Sequence, residues 1–240
     1  MTLATVRAAA EHIARQGYLL PHQLAAFAAL DRSLTPEQRE AFTADWRAAG
    51  SPAQPRPPKP SAHPNPLPVP FYQQLDSATD QGRRMCFSSS CAMLLAFLRP
   101  GILKGPNGDD QYLARVRTFG DTTSAIAQVQ ALNSYEVRAD FTKAADFALI
   151  ERQIDAGFPV PCGYLHRGPV EKPSGGGHWL TVVGYDATHV IVHDPLGEAD
   201  LITGGTLNRP AQFCRYSRKN FGRRWMVEAP RTGWAIVVKR

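Results

Sequence analysis

Nowhere in the 240 residues does an apolar run approach the length of a membrane span, so no spanning segment is expected. The first residues, Met1-Thr2-Leu3-Ala4-Thr5-Val6-Arg7, lack the apolar core of a secretory signal. The chain is therefore expected to be made in the cytoplasm. Cysteine is scarce: Cys86, Cys91, Cys162 and Cys214 are too few and too scattered for a disulfide scaffold, and they read as reduced thiols. None of them shares a short ligand spacing with a second cysteine or histidine pair. His189 and His193 are separated by strand-like Val190-Ile191-Val192, so neither a metal nor a cofactor is expected. Acidic charge is also in the minority. The formal net charge of +6 favours anionic partners such as cell-wall polymers, lipid headgroups or nucleic acid. The densest basic cluster, Arg215-Tyr216-Ser217-Arg218-Lys219-Asn220-Phe221-Gly222-Arg223-Arg224-Trp225, carries no accompanying nucleic-acid motif. It reads as a solvated basic face beside a strand, and nucleic acid is not an expected partner.

What remains is an ordinary globular composition, 43% hydrophobic and 20% charged, long enough for one medium domain and a small appendage. Residues 1–50 read as a small helical module. Val6, Ala9, Ala10 and Ile13 mark a first helix, and Leu24, Phe27 and Leu30 a second. A third opens with Thr35 as cap, Pro36 at the first helical position and Gln38 three residues after the cap. Three helices of this size bury little by themselves, which suits a docking or targeting piece and equally a plain structural appendage. Residues 51–68 are a Pro-rich linker, extended and semi-rigid. The main domain is expected over 69–240. Helices are predicted over about 110–119, around Ile126 to Tyr135 and from Phe147 to Ile154. Strands are then predicted over 158–165, 178–185, 190–193, 225–227 and 234–238. Helices first and strands afterwards point to an α+β fold in which an antiparallel sheet packs on a helix.

That helix is carried by Arg84-Met85-Cys86-Phe87-Ser88-Ser89-Ser90-Cys91-Ala92-Met93-Leu94-Leu95-Ala96-Phe97-Leu98. Phe87, Cys91, Leu94, Leu95 and Leu98 recur at the spacing of one buried helix face, and Pro100-Gly101 stops the run. The serines suit N-terminal capping. Cys86 falls at or just before the first turn, where free N–H groups and a positive partial charge suit a nucleophile. Cys91, among leucines, reads as an inert core residue.

A nucleophile needs a base, and Gly175-Gly176-Gly177-His178 opens a strand that runs to Tyr185. A turn at Asp186-Ala187-Thr188 leads into a second strand ending His193-Asp194-Pro195. A three-residue loop pairs Tyr185 with His189. Asp194 then lies opposite Leu180, diagonal to His178 and on its face. One residue of slip puts the two on opposite faces. Cys86 as nucleophile, His178 as base and Asp194 as orienter form the thiol version of a nucleophile–base–orienter set. His166, His189 and His193 are the rival bases. Residues 168–177, rich in Gly and Pro, read as a mobile rim over the cleft.

Four blocks together resemble the double-glycine-leader (bacteriocin-processing) peptidase superfamily: Val69-Pro70-Phe71-Tyr72-Gln73-Gln74-Leu75-Asp76, Cys86-Phe87-Ser88-Ser89-Ser90-Cys91-Ala92-Met93, Gly177-His178-Trp179 and Val192-His193-Asp194-Pro195. They are most similar to its papain-like branch, and their wording to phage-encoded members. The resemblance covers residues 69–240 and implies a papain-like cysteine peptidase fold. By position it makes Cys86 the nucleophile, His178 the base and Asp194 its orienter. It makes Gln74 the side-chain donor to the oxyanion, with Gln73 as fallback. Phe87-Ser88 departs from the Gly-Pro that often follows the family cysteine, which leaves the shape of the substrate cleft open.

The implied activity is hydrolysis of peptide bonds through a Cys86 thioester, with peptide or peptidoglycan stem peptide as substrate. A phage lysin or virion-associated enzyme, delivered to the cell wall or packaged in a virion, fits the missing signal and the basic charge. Residues 1–50 are the expected virion or wall docking piece. Two rivals stand beside this reading. One is a virion structural or tail component with a peptidase-like fold. The other is a host-directed cytoplasmic protease or deamidase.

Overall fold

The structure, a computed structural model, describes residues 63–239 together with Thr35 and Pro36. The chain divides at Pro60–Ser61. Pro36 opens a helix and Thr35 stands just outside it, where the cap signature places that start. The helices predicted before residue 31 and the linker before residue 63 lie outside the described residues.

Helix α1 (Cys86–Leu98) is the centre of the second unit. It is followed by α2 (Gly108–Val116) and α3 (Ala125–Ser134). Both begin within a few residues of the predicted starts, and the Ser124 hydroxyl caps α3 by accepting the Ala127 N–H at 3.3 Å. Strand β1 (Ala139–Ala145) comes next, then α4 (Phe147–Asp155), capped by Asp146. The rest is β2 (Val160–Arg167), β3 (Ser174–Tyr185), β4 (His189–Asp194), β5 (Ala211–Ser217), α5 (Arg218–Trp225) and β6 (Gly233–Val238). The strands form one sheet in the order β1-β6-β2-β3-β4-β5, with every pairing antiparallel. The fold is α+β, as predicted.

Three sequence expectations fail here for physical reasons. The serines of α1 do not cap it. Ser88, Ser89 and Ser90 lie inside the helix and are fully buried, because α1 is surrounded on every side. Ser88 shares a 2.7 Å hydrogen bond with the Thr122 hydroxyl and accepts one from the Gln128 amide at 2.8 Å. The Ser89 hydroxyl donates to Asp109 at 2.5 Å. These serines bolt α1 to the helices behind it. Burial pushes the Asp109 carboxyl up to about 6, against the Ser89 bond, which lowers it.

The stretch read as a basic face ending in a strand is instead β5 followed by α5. Ser217 caps the helix, and Phe221 and Trp225, four apart, bury one face of it. Arg224 is also buried and donates to the carbonyls of Leu201, Leu165, Arg167 and Gly168. Arg218 pairs with Glu151 and Arg215 with Asp186. Of the basic residues in the cluster only Arg224 is buried, while Arg215, Lys219 and Arg223 stay exposed, so the solvated basic face is there and the strand expected at its end is not. Finally, the stretch read as a rim over 168–177 is strand from Ser174 onward. Gly177 pairs with Leu165 and Ser174 with Arg167.

Candidate active site

Cys86 is the first residue of α1, with Met85 as the residue before it. The first intrahelical bond runs from the Ser89 N–H to the Met85 carbonyl at 2.8 Å. The N–H groups of Cys86, Phe87 and Ser88 therefore have no partner along the helix. Cys86 is half-buried, whereas Cys91, one and a half turns on, is fully buried, and burial raises its thiol well above the ordinary range. The sequence distinction between the two cysteines is the one the fold makes.

The hairpin register is the crux of the histidine side. At the turn, Tyr185 pairs with Val190 rather than His189, one residue away from the predicted register. The Asp186 carboxylate causes this. It accepts the N–H groups of Thr188 and His189 at 2.8 Å each, and the Asp186 N–H donates to the His189 carbonyl at 2.9 Å, which closes a tighter loop. A slip of one residue carried down the strands separates His178 from Asp194. It is not carried down, because the register shifts again between Val182 and Gly184, where Val183 is an extra residue on β3. Beyond that bulge Val182 pairs with Val192 and Thr181 with His193, as predicted. The register departs from the expected one at the turn and meets it at the His178 end.

His178 Nε2 meets Asp194 Oδ1 at 2.6 Å, with the two residues 3% and 0% exposed. That leaves Nδ1 for Cys86, whose charge and hydrogen bond both act on the ring. Burial by itself pulls the imidazole down. The negative charges of Asp194 and Cys86 outweigh it and push His178 up to about 10. The buried Asp194 is held by more than the histidine. Its Oδ2 accepts from the Tyr164 hydroxyl at 2.9 Å and from Tyr216 at 3.4 Å, and its Oδ1 accepts from the Leu196 N–H at 3.1 Å. Tyr164 sits directly opposite His178 in the β2–β3 ladder and packs edge-on to its ring, with centroids 5.5 Å apart. Neither tyrosine was found from the sequence, because only the strand pairing places them.

Gln74 is buried in a short 3-10 turn (Gln74–Asp76), while Gln73 is half-buried before it. The Gln74 backbone N–H donates to the Pro195 carbonyl at 2.9 Å, next to Asp194. Its side-chain amide donates to the Gly82 carbonyl at 2.7 Å, four residues before Cys86. One amide hydrogen remains for another acceptor.

The rival histidines are elsewhere employed. His189 shares a 2.8 Å hydrogen bond with the Thr188 hydroxyl in the turn. His193 is fully buried with its ring edge-on to Phe71 and Phe213, centroids 5.5 and 4.4 Å away, and burial lowers it to about 4. His166 lies beside His178, centroids 5.3 Å apart, and its Nδ1 bonds the Gly176 carbonyl at 3.1 Å. Burial, aided by the charge of His178, lowers it.

Phe87, which stands where the family often has glycine, is buried. It stacks on Trp179 with rings 5° from parallel and centroids 3.5 Å apart. Gly163, opposite Trp179 in the ladder, makes this possible, since a Cβ there would lie 2.8 Å from the indole. The Thr181 hydroxyl donates to the Ser90 carbonyl at 2.9 Å, a second tie between α1 and β3. Among the described residues no cluster of three or more His, Cys, Asp or Glu is arranged to hold a metal.

Comparison with known proteins agrees with this architecture. A sequence model described as the Peptidase_C39 like family matches residues 66–223. The fold is similar to that of a putative C39-like peptidase from Bacillus anthracis, with a TM-score of 0.51 and 16% identity over 72% of this chain and 95% of that one. A cysteine protease of Carica candamarcensis, CMS1MS2, aligns over 72% of this chain and 93% of its own, with a TM-score of 0.37 and 14% identity. No curated protein sequence matches.

Proposed function

Because the chain belongs to the Peptidase_C39 like family, a family of cysteine peptidases, we propose that Cys86, His178, Asp194 and Gln74 are its catalytic residues and that its substrate is the peptide part of a bacterial cell wall. The observation that carries the catalytic assignment is the buried His178–Asp194 pair, 2.6 Å apart, with its remaining nitrogen given to a cysteine at a helix start.

The chemistry follows from charge and donors. As the reaction begins, Cys86 gives its thiol proton to Nδ1 of His178, whose charged form Asp194 and Cys86 favour. The sulfur attacks the scissile carbonyl carbon, and the carbonyl electrons move onto oxygen. The Cys86 N–H at the helix end and the free amide hydrogen of Gln74 are the donors for that oxyanion. As the tetrahedral intermediate collapses, the C–N bond breaks, and Nδ1 of His178 gives its proton to the departing amine. A thioester remains. Water then gives a proton to neutral His178 and its hydroxide to the acyl carbon. The thiolate leaves, and a carboxylic acid is released. Asp194, fixed by Tyr164, Tyr216 and Leu196, keeps the ring in one tautomer and orientation throughout.

The choice of wall peptide rests on the net charge of +6, which suits an anionic polymer, and on the phage-like wording of the four motif blocks. A phage lysin or virion-associated enzyme is the corresponding role, with residues 1–50 as its docking piece. Mass spectrometry of fragments released from purified peptidoglycan tests it. Wild type is expected to release stem-peptide fragments and Cys86→Ala none. Release by neither, with rapid alkylation of Cys86 retained, would keep the thiol chemistry and discard the wall substrate.

A further inference from the structure

The bulge at Val183 decides whether Asp194 faces His178, so whatever fixes the bulge acts on the site. At that point β2 has ended: its last pairing with β3 toward the turn is Val160 with Val182. The edge of β3 beyond it would be left with open backbone groups. Residues 65–67 occupy it. The Leu67 N–H donates to the carbonyl of Val183, the extra residue itself, at 2.7 Å. The Asn65 side chain then pairs with the Tyr185 backbone in both directions. Its amide donates to the Tyr185 carbonyl at 3.0 Å, and its oxygen accepts the Tyr185 N–H at 2.9 Å. Between these contacts lies Gly184, where a Cβ would stand 2.6 Å from the Asn65 oxygen and 2.7 Å from Pro66. Leu67 is fully buried.

The same segment continues toward the site. Phe71 packs edge-on to His193 with centroids 5.5 Å apart, and the Gln74 N–H bonds the Pro195 carbonyl at 2.9 Å. One stretch of chain therefore runs along the whole hairpin, from its turn to the residue after Asp194. We infer that residues 65–74 are a register brace and that Asn65 is a positioning residue, acting through the Val183 bulge to hold Asp194 against His178. The inference rests on the catalytic reading above. It gives the end of the Pro-rich stretch and the residues after it a task that their composition does not suggest: a perturbation there is passed to the site as register, which changes in whole residues rather than by degrees.

The test uses the full chain with Asn65→Ala, Gly184→Ala and, as a control, Ile154→Val, which removes one methylene from the core of α4. Two quantities are read well below each melting temperature: the rate of Cys86 alkylation by iodoacetamide, and the low-field proton NMR signal of the hydrogen on His178 Nε2 that bonds Asp194. Asn65→Ala and Gly184→Ala are expected to slow alkylation roughly ten- to a hundredfold and to weaken or move the low-field signal. Ile154→Val is expected to lower the melting temperature and leave both readings unchanged. Unchanged readings in Asn65→Ala and Gly184→Ala would overturn the brace, as would an equal loss in the control. The two proposals fail separately. A wild-type Cys86 that alkylates no faster than Cys214 removes the catalytic reading, while the NMR signal still reports on the brace.

Discussion

Cys86 and His178 reach the same point from two kinds of structure. Cys86 is placed by the end of a helix, a local feature set by a few consecutive residues, and it is held there by the burial of everything behind it on α1. His178 is placed by a hairpin whose turn is out of step with its far end by one residue, and a single bulge reconciles the two. The difference concerns how each side can fail. The cysteine side loses activity only when its own groups or the packing of α1 are changed. The histidine side can be broken at a distance, by anything that lets the ladder slide, because side chains in a strand change face with every residue of slip.

The sharpest way to separate the two sides is to remove the proposed nucleophile. Cys86→Ala is expected to lower peptide hydrolysis on the order of a millionfold while the low-field His178 signal, which belongs to the histidine side, persists. Hydrolysis that survives the substitution would mean that the cysteine side is not the reacting one.

Asp194→Asn strikes the other side, with an expected loss of roughly a hundred- to ten-thousandfold in hydrolysis. It also removes the first-named of the charges that raise His178. The raised imidazole contributes stability that is fully present below its unfolded value of 6.5 and is lost as pH climbs through about 10. Urea unfolding across that window should show a smaller alkaline loss in Asp194→Asn than in wild type. An identical alkaline loss would mean that the charge pairing is not what holds His178.

His193 offers a test of the hairpin face that the site does not use. Its ring stays neutral in the fold, so as pH falls below 6.5 the unfolded chain takes up a proton first, and stability declines until the folded value of about 4 is reached. The cost to wild type is about 3 kcal/mol at most. His193→Phe should escape it, and the difference between the two urea midpoints as a function of pH isolates this residue, since Asp109 moves in the opposite direction. Parallel curves would place the acid sensitivity elsewhere.

The smallest expected effect is that of Tyr164→Phe. It removes one donor from the buried Asp194 carboxylate and is expected to cost about 1.5–3 kcal/mol in unfolding free energy. Because Tyr216 and Leu196 still bond that carboxylate, hydrolysis should survive at a reduced rate. Complete loss of activity would mean that the tyrosine, rather than the aspartate, sets the orientation of His178.

Much of this site was legible because its signals are local. The leucine-rich periodicity and the Pro100-Gly101 stop define a buried helix, and a helix has a start, so Cys86 and Cys91 could be told apart on the sequence alone. The alternating strands around Asp186 gave the hairpin, and with it the shared face of His178 and Asp194. The serine run was misread because capping and burial use the same residue type. Only the polar partners Thr122, Gln128 and Asp109, brought up from α2, α3 and the turn between them, decide which applies. The edge strands β1 and β5 alternate too weakly to show, since much of each faces solvent.

By itself the sequence determined a helix opening on a thiol, a hairpin bearing an imidazole and a carboxylate, and the type of fold that packs one on the other. Tertiary structure decided the rest. It chose the bulge at Val183 and brought Asn65 and Leu67 to the open edge beside it. It also set Tyr164 and Tyr216 on Asp194 and turned Arg224 inward onto four carbonyls. The physical reason is the same in each case. These partners lie tens of residues apart along the chain, and which of them meet depends on the register of strands and the burial of backbone groups, which no short stretch of sequence contains.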